Sequence, residues 1–158
     1  QEVQFEEANL EKCDLRGANL YRARMEDVDM RGAFLRGANL SEVNLVGADL
    51  RDADLFNVTA VNSTFAWADL RGASLAKGDF NQTDFSDAKM DEVNLSDSSM
   101  VKTRLMATSL KGSNLKGVDF NGADIRGANF RDANLQQVKN LDKAIGLKKA
   151  LHLDEAIF

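Results

Sequence analysis

The sequence predicts an all-β solenoid, a short extended unit repeated and stacked along one axis. Every fifth position from Phe5 to Leu135, 27 sites in all, holds Leu, Phe, Met or Ile, with Ala60 the single exception. Two places earlier, from Val3 to Ala133, the residues are only Ala, Val, Ser, Thr, Cys or Gly. No insertion or deletion breaks the register between those limits. An amphipathic helix needs a period near 3.6 and a plain strand a period of 2, so neither fits.

A five-residue unit makes physical sense as a short extended piece followed by a corner. In a block such as Ala-Asn-Leu at 38–40, the first and third side chains fall on one face and the middle one points out. The two residues between blocks, often Arg-Gly or Arg-Asp, turn the chain. One unit cannot bury its own apolar face. Stacking successive turns about 4.8 Å apart buries a column of Leu and Phe, with the small residues filling the gaps beside it.

The blocks RGANL at 16–20 and 36–40, VGADL, RDADL, NGADI and RDANL match the A(D/N)LXX signature, and the chain resembles pentapeptide repeat proteins over residues 3–135. That resemblance implies a right-handed quadrilateral β-helix with four blocks to a turn, hence nearly seven turns in a rod of roughly 33 Å. The square section comes from the resemblance alone, because basic residues after the large site recur no better at 20 than at 15. The abundance of the family in cyanobacteria points to a cyanobacterial source.

Composition bounds the rest. The 158 residues carry a net charge of −5, from 20 basic and 25 acidic side chains, which is ordinary and offers nucleic acid no overall attraction. No apolar run approaches the ~18–20 residues of a membrane span. The expected chain is soluble, with the cytoplasm favoured over the periplasm or the thylakoid lumen. The opening Gln1 leaves a trimmed segment, a signal peptide or a longer chain equally open.

Taken in order, the first blocks, EVQFEEANL, are acidic and in register, with an uncovered edge that invites pairing. Either a cap precedes them or two rods meet end to end as a homodimer. Cys13 occupies a small inward site and reads as a buried, inert thiol. At four blocks per turn, Arg31, Arg51, Arg71, Lys111 and Arg131 form one charged ridge interrupted by Asp91, with Asp29, Asp49 and Asp69 in the column two residues back. The matched signs read as a solvated lattice rather than a phosphate-binding stripe.

Residues 56–67, FNVTAVNSTFAW, depart from the rule. Ala60 should leave a void unless its neighbours fill it. Phe56, Val61 and Trp67 take outward positions in the same turn, with Val46, Val101, Met106 and Tyr21 on adjoining faces. Two readings stand: a partner contact formed by Phe56, Val61, Trp67, Val46 and Met106, or local repacking with Trp67 lying flat on the rod. Further on, 79–97 is acidic, 102–131 is basic, and Ser98, Thr103, Thr108 and Ser113 form an inward polar run expected to bond to carbonyls. The register fails after Val138, at Asn140. The division is therefore 1–138 for the coil and 139–158 for a short α-helical cap. In that cap Leu141, Ala144 and Ile145 share a face, Gly146 breaks or caps a helix, and Asp154 caps the last turn.

Catalysis has no support. His152 is the only histidine, Cys13 the only cysteine, and no GxxxxGK loop occurs, so nucleophilic triads, zinc centres and phosphate cradles lack their parts. No cofactor is expected. The best reading is a non-enzymatic, protein-binding rod of unknown partner. The alternatives are a scaffold segment of a larger protein or, as the resemblance implies, a DNA mimic that binds DNA gyrase. The Arg column and the lack of an inserted loop weigh against the last.

Overall fold

The computed structural model describes residues 4–158, so the inward site assigned to Val3 lies outside the described residues. Parallel bridges join each middle residue to the one 20 positions later, as in Arg24–Asn44, Asp29–Asp49, Phe34–Asp54 and Asn39–Thr59. Four blocks therefore complete a turn, and the chain is a right-handed quadrilateral β-helix. Side one carries Asn44, Thr64 and Asp84, side two Asp49, Asp69 and Lys89, side three Asp54, Ser74 and Asn94, and side four Thr59, Asp79 and Ser99.

In a block that keeps the repeat's Asn or Asp, all five backbone N–H groups find acceptors, four of them on the backbone. The large residue donates to the middle carbonyl one turn ahead (Leu50 N to Asp69 O, 2.7 Å), and the middle residue donates to the small-site carbonyl one turn back (Asp69 N to Ala48 O, 2.9 Å). The second corner residue donates ahead to the first corner residue of the next turn (Asp52 N to Arg71 O, 3.1 Å). The next small residue closes the corner onto the large carbonyl (Ala53 N to Leu50 O, 3.1 Å). The first corner N–H is left, and the middle Asn or Asp two places back accepts it, as Asp49 Oδ1 does from Arg51 N at 3.2 Å. That is why the middle slot favours Asn and Asp.

The second corner residue sits in the left-handed region on every turn, from Glu7 at φ 56° to Gln137 at φ 59°. None of these described residues is β-branched, since a branched Cβ would crowd the backbone there. At Gly47 (φ 71°) the requirement is doubled, because the Asp27 carboxylate occupies the place of a Cβ.

Large and small sites are buried from Leu20 to Leu135. The void anticipated at Ala60 is absorbed by aromatic volume: Phe65 follows it in the same turn, and Phe80 and Phe85 stack one turn above these two. Phe65 and Phe85 stack at 5.0 Å, and Phe80 meets Phe85 edge-on at 5.6 Å. The Phe80 ring takes the space a side chain at Gly78 would fill. The polar run is longer than the sequence reading had it. Ser63, Thr83, Thr103, Thr108 and Ser113 each donate to a large-site carbonyl one turn below, at 2.6–2.7 Å. Ser98 departs from the expectation, its hydroxyl meeting no acceptor among the described residues. Cys13 is half-buried rather than buried, because the core around it in the first turns, at Phe5, Ala8 and Leu10, is itself only partly covered.

The tail also differs from the expectation. It forms no α-helix; three 3-10 turns, Leu141–Lys143, Leu147–Lys149 and Leu153–Glu155, carry the coil onward. Bridge spacing grows from 20 residues to 21, 22 and 23 at Asp124–Ile145, Asn129–Leu151 and Asn134–Ile157, so each side gains one residue. The added residues, Asn140, Gly146 and His152, are left-handed and open the turns, so Gly146 is no C-cap and Asp154 makes no capping bond. Leu141 and Ala144 pack on the core, whereas Ile145 is exposed with Leu151 and Ile157.

Replacing Ala60 by Leu, the commonest residue at its site, should destabilise the fold by about 1–3 kcal/mol, because aromatic rings already fill the space. Urea denaturation measures it; a stabilised Ala60→Leu protein would show that a void remained.

Candidate protein-binding corners

The four corners of the square rod each align two columns of outward side chains, and their chemistry differs. The second corner, between sides two and three, holds the ridge of Arg31, Arg51, Arg71, Lys111 and Arg131 in one line. Each of the first three arginines grips the Asp two residues back with two bonds. Arg31 Nε and Nη2 donate to Asp29 at 2.8 and 2.7 Å, Arg51 to Asp49 at 2.9 and 2.6 Å, and Arg71 to Asp69 at 2.9 and 2.7 Å. Both groups project from the same side two residues apart, so the fork matches the carboxylate without strain.

These pairs shift the acids. The Arg31 hydrogen bond holds Asp29 below its usual range, and Asp29 in turn raises Arg31. Burial pushes Asp69 up, but the Arg71 bonds outweigh it and the net shift is down. Asp14, gripped the same way by Arg16, falls to about 2. A groove of about 300 Å³ beside the ridge is lined by Glu11, Lys12, Arg31, Gly32, Arg51 and Asp52, a mixture of signs that suits no phosphate. Arg131 lies beyond, bonded to Glu155 at 2.9 Å. Lys111 makes no ion pair among the described residues; its backbone N–H bonds Asp91 Oδ1 at 3.3 Å.

The apolar residues of 56–67 are not brought together. Phe56 lies on the third corner, Val61 on the fourth and Trp67 on the first, each a quarter turn from the next. Five residues of sequence are one side of the square, which is why neighbours in the chain part company in space. Phe56 and Val61 are half-buried. Trp67 does not lie flat: it is 65% exposed, in the left-handed region at φ 64°. It shares the first corner with Val46 one turn below and Met106 two turns above, while Ser86 and Asp87 occupy the level between. The Met106 sulfur accepts from Arg126 Nη2 at 3.4 Å.

One outward aromatic escaped the sequence reading. Phe34 fills the middle slot of RGAFL, where the neighbouring block RGANL has Asn, and is 46% exposed. The signal was there in that substitution.

The described residues form a four-sided coil with structured corners, and no group of three potential metal ligands occurs among them. The pentapeptide repeats (8 copies) model matches residues 1–37, 18–55 and 35–72, and the pentapeptide repeat region model matches 73–144. The chain belongs to the pentapeptide repeat family. HetL, a pentapeptide repeat protein involved in heterocyst differentiation regulation in the cyanobacterium Nostoc sp. strain PCC 7120, is 30% identical. That match covers 99% of this chain and 72% of HetL, with a TM-score of 0.59. A trypsin-treated form of QnrB1, a plasmid-mediated fluoroquinolone resistance protein, shares the fold at 18% identity and a TM-score of 0.71, over 92% of this chain and 77% of that one. No curated protein matches the chain.

The depressed Asp14, Asp29, Asp69 and Asp124 set a pH window. A carboxylate lowered in the folded state stabilises above its unfolded value, near 3.8, and that contribution is lost as pH falls through the folded value. The melting temperature should hold from pH 7 to about 5 and drop between about 4 and 2, modestly, because the pairs face solvent. A melting temperature that rises over that acid range contradicts the paired lattice.

Proposed function

We propose that this chain is a non-enzymatic rod that binds another protein through its first corner, with Trp67 as the anchor. One observation carries the reading: the only tryptophan of the chain stands largely in solvent on a backbone position that disfavours bulky residues. The fold requires a left-handed residue there but not a tryptophan, since Gly47 and Asp87 serve at the equivalent positions one turn below and above. A large, rigid indole held by a fixed corner is what a binding hot spot needs. Val46 and Ala66 widen the apolar contact, with Met106 at its far margin. A regulatory role exerted through binding is consistent with the description of HetL.

The gyrase reading draws on the fold shared with QnrB1 alone. A duplex mimic needs a continuous acidic surface, whereas here the second corner alternates paired Arg and Asp. A rod that presents contacts as one segment of a larger protein remains compatible with the same corner.

The test is capture from a lysate of the source cell with the parent chain and a Val46→Asp, Trp67→Asp variant as baits. A partner held by the parent and released at least tenfold by the variant is expected. A partner held equally by both places the contact elsewhere.

A further inference from the structure

The third corner differs from the second in how it holds two of its cations. On the second corner Arg31, Arg51 and Arg71 are each engaged by two bonds to a carboxylate. On the third, Arg16 is gripped by Asp14 in the same way, but for the cations one and three turns above it an aromatic ring does the holding. Arg36, one turn below Phe56, places its guanidinium carbon 4.8 Å from the ring centroid, and Lys77, from the turn above, places Nζ at 5.8 Å. Attraction to the ring fixes both cations without neutralising them. Arg36 meets one carboxylate, Asp54, through Nε at 3.1 Å, and its terminal nitrogens have no acceptor among the described residues. Lys77 has no ion pair among the described residues. Further charge lies at Asp14 and Arg16, one turn beneath Phe34 and Arg36 and closed on each other at 2.8 and 2.6 Å, at Asp79 two residues after Lys77, and at Asp97 one turn above Lys77, whose carboxylate lies against Gly117.

Beside this pair stands the exposed Phe34, two residues before Arg36 and directly beneath Asp54 on side three. The corner thus combines Lys77 without an ion pair, Arg36 engaged by Asp54 through Nε but with its terminal nitrogens open, a ring that orders both and an apolar side chain in solvent. Arg36 and Lys77 stand two turns apart, about 10 Å at strand spacing. A peptide in the polyproline II conformation spans about that distance in three residues, one full turn, so its residues i and i+3 share a face.

We propose that the third corner docks an acidic segment of another protein, with two carboxylates three residues apart meeting Arg36 and Lys77 and an apolar side chain packing on Phe34. Carboxylate recognition suits the free guanidinium edge. Two cations divided by Asp54 are too few and too interrupted to follow a phosphate backbone, which takes a stripe of basic residues. This surface lies diagonally across the rod from Trp67, so it is separate from the first-corner contact.

The experiment is fluorescence anisotropy with a fluorescein-labelled twelve-residue peptide repeating Glu-Phe-Ser-Glu, its Gln-for-Glu counterpart, and a dT12 oligonucleotide. Saturable binding of the acidic peptide is expected, weakened at least tenfold by Arg36→Gln with Lys77→Gln and by the Gln peptide. Trp67→Asp and Arg51→Gln proteins should bind as the parent does, which keeps this surface distinguishable from the first corner. Circular dichroism checks that the variants are folded; both substituted side chains are exposed, so the coil should persist. No saturable binding, equal binding of the Gln peptide, or binding unchanged in the double variant would each overturn the proposal. So would dT12 binding that the acidic peptide cannot displace, which would make the corner a nucleic-acid surface.

Discussion

Everything in this molecule depends on the backbone ladder between one turn and the next. Each block sends an N–H forward from its large residue and one back from its middle residue, so a side with three extended residues is fastened to both neighbours. No side is long enough to be stable alone. Stacked, they bury an unbroken column of Leu, Phe and Met whose contacts repeat at every turn. The stability of one turn is therefore inseparable from that of the turns beside it, and the outer surface becomes a lattice whose positions are set by the ladder.

That lattice explains how a simple fold can carry specificity. Outward residues have little freedom to choose neighbours: the middle slot, the first corner and the second corner each line up along the rod axis. Where the middle slot is Asp and the following corner is Arg, as at Asp49 and Arg51, charge is closed on itself. Where a corner carries Phe56 instead, the cations above and below it are held over a ring, Lys77 with no ion pair among the described residues and Arg36 with its terminal nitrogens open beside Asp54. Where it carries Trp67, an indole is pushed into solvent. In the binding role proposed for this rod, contacts reside in departures from the repeat, because the regular block satisfies its own polar groups.

The period and the inward sites were legible in the sequence because they follow from a spacing that never slips, whereas the alignment of the Arg ridge needed the four sides that the family resemblance implied. The number of sides was not, since basic residues recur at 15 about as well as at 20, and only the bridges decide. The tail misled for a physical reason. In NLDKAIGLKKALHLDEAIF the apolar residues fall three and four apart, as on a helix, yet the period is six and each unit opens on a left-handed residue. Phe56, Val61 and Trp67 looked like one patch because they are close in sequence, whereas each corner turns the chain through a quarter circle. Phe34 stayed hidden inside a regular block, where a middle-slot aromatic breaks no spacing rule. The filling around Ala60 needed the stacking of Phe80 and Phe85 from the turn above, which no local window contains.

Residue-resolved hydrogen exchange tests the ladder most directly. The account predicts slow exchange at four amides of each block through the central turns. The first-corner amide should be slowed only where a side-chain oxygen accepts it, two places back as at Arg51 bonded to Asp49, or one turn below as at Val101 bonded to Asn81. At Glu26, Arg36 and Met106 the middle residue is Arg24, Phe34 or Arg104, and no hydrogen bond to those amides is formed among the described residues. Those three should exchange fast within otherwise protected turns. Protection without a five-residue period, or equal protection at Arg36 and Arg51, would contradict the ladder as described.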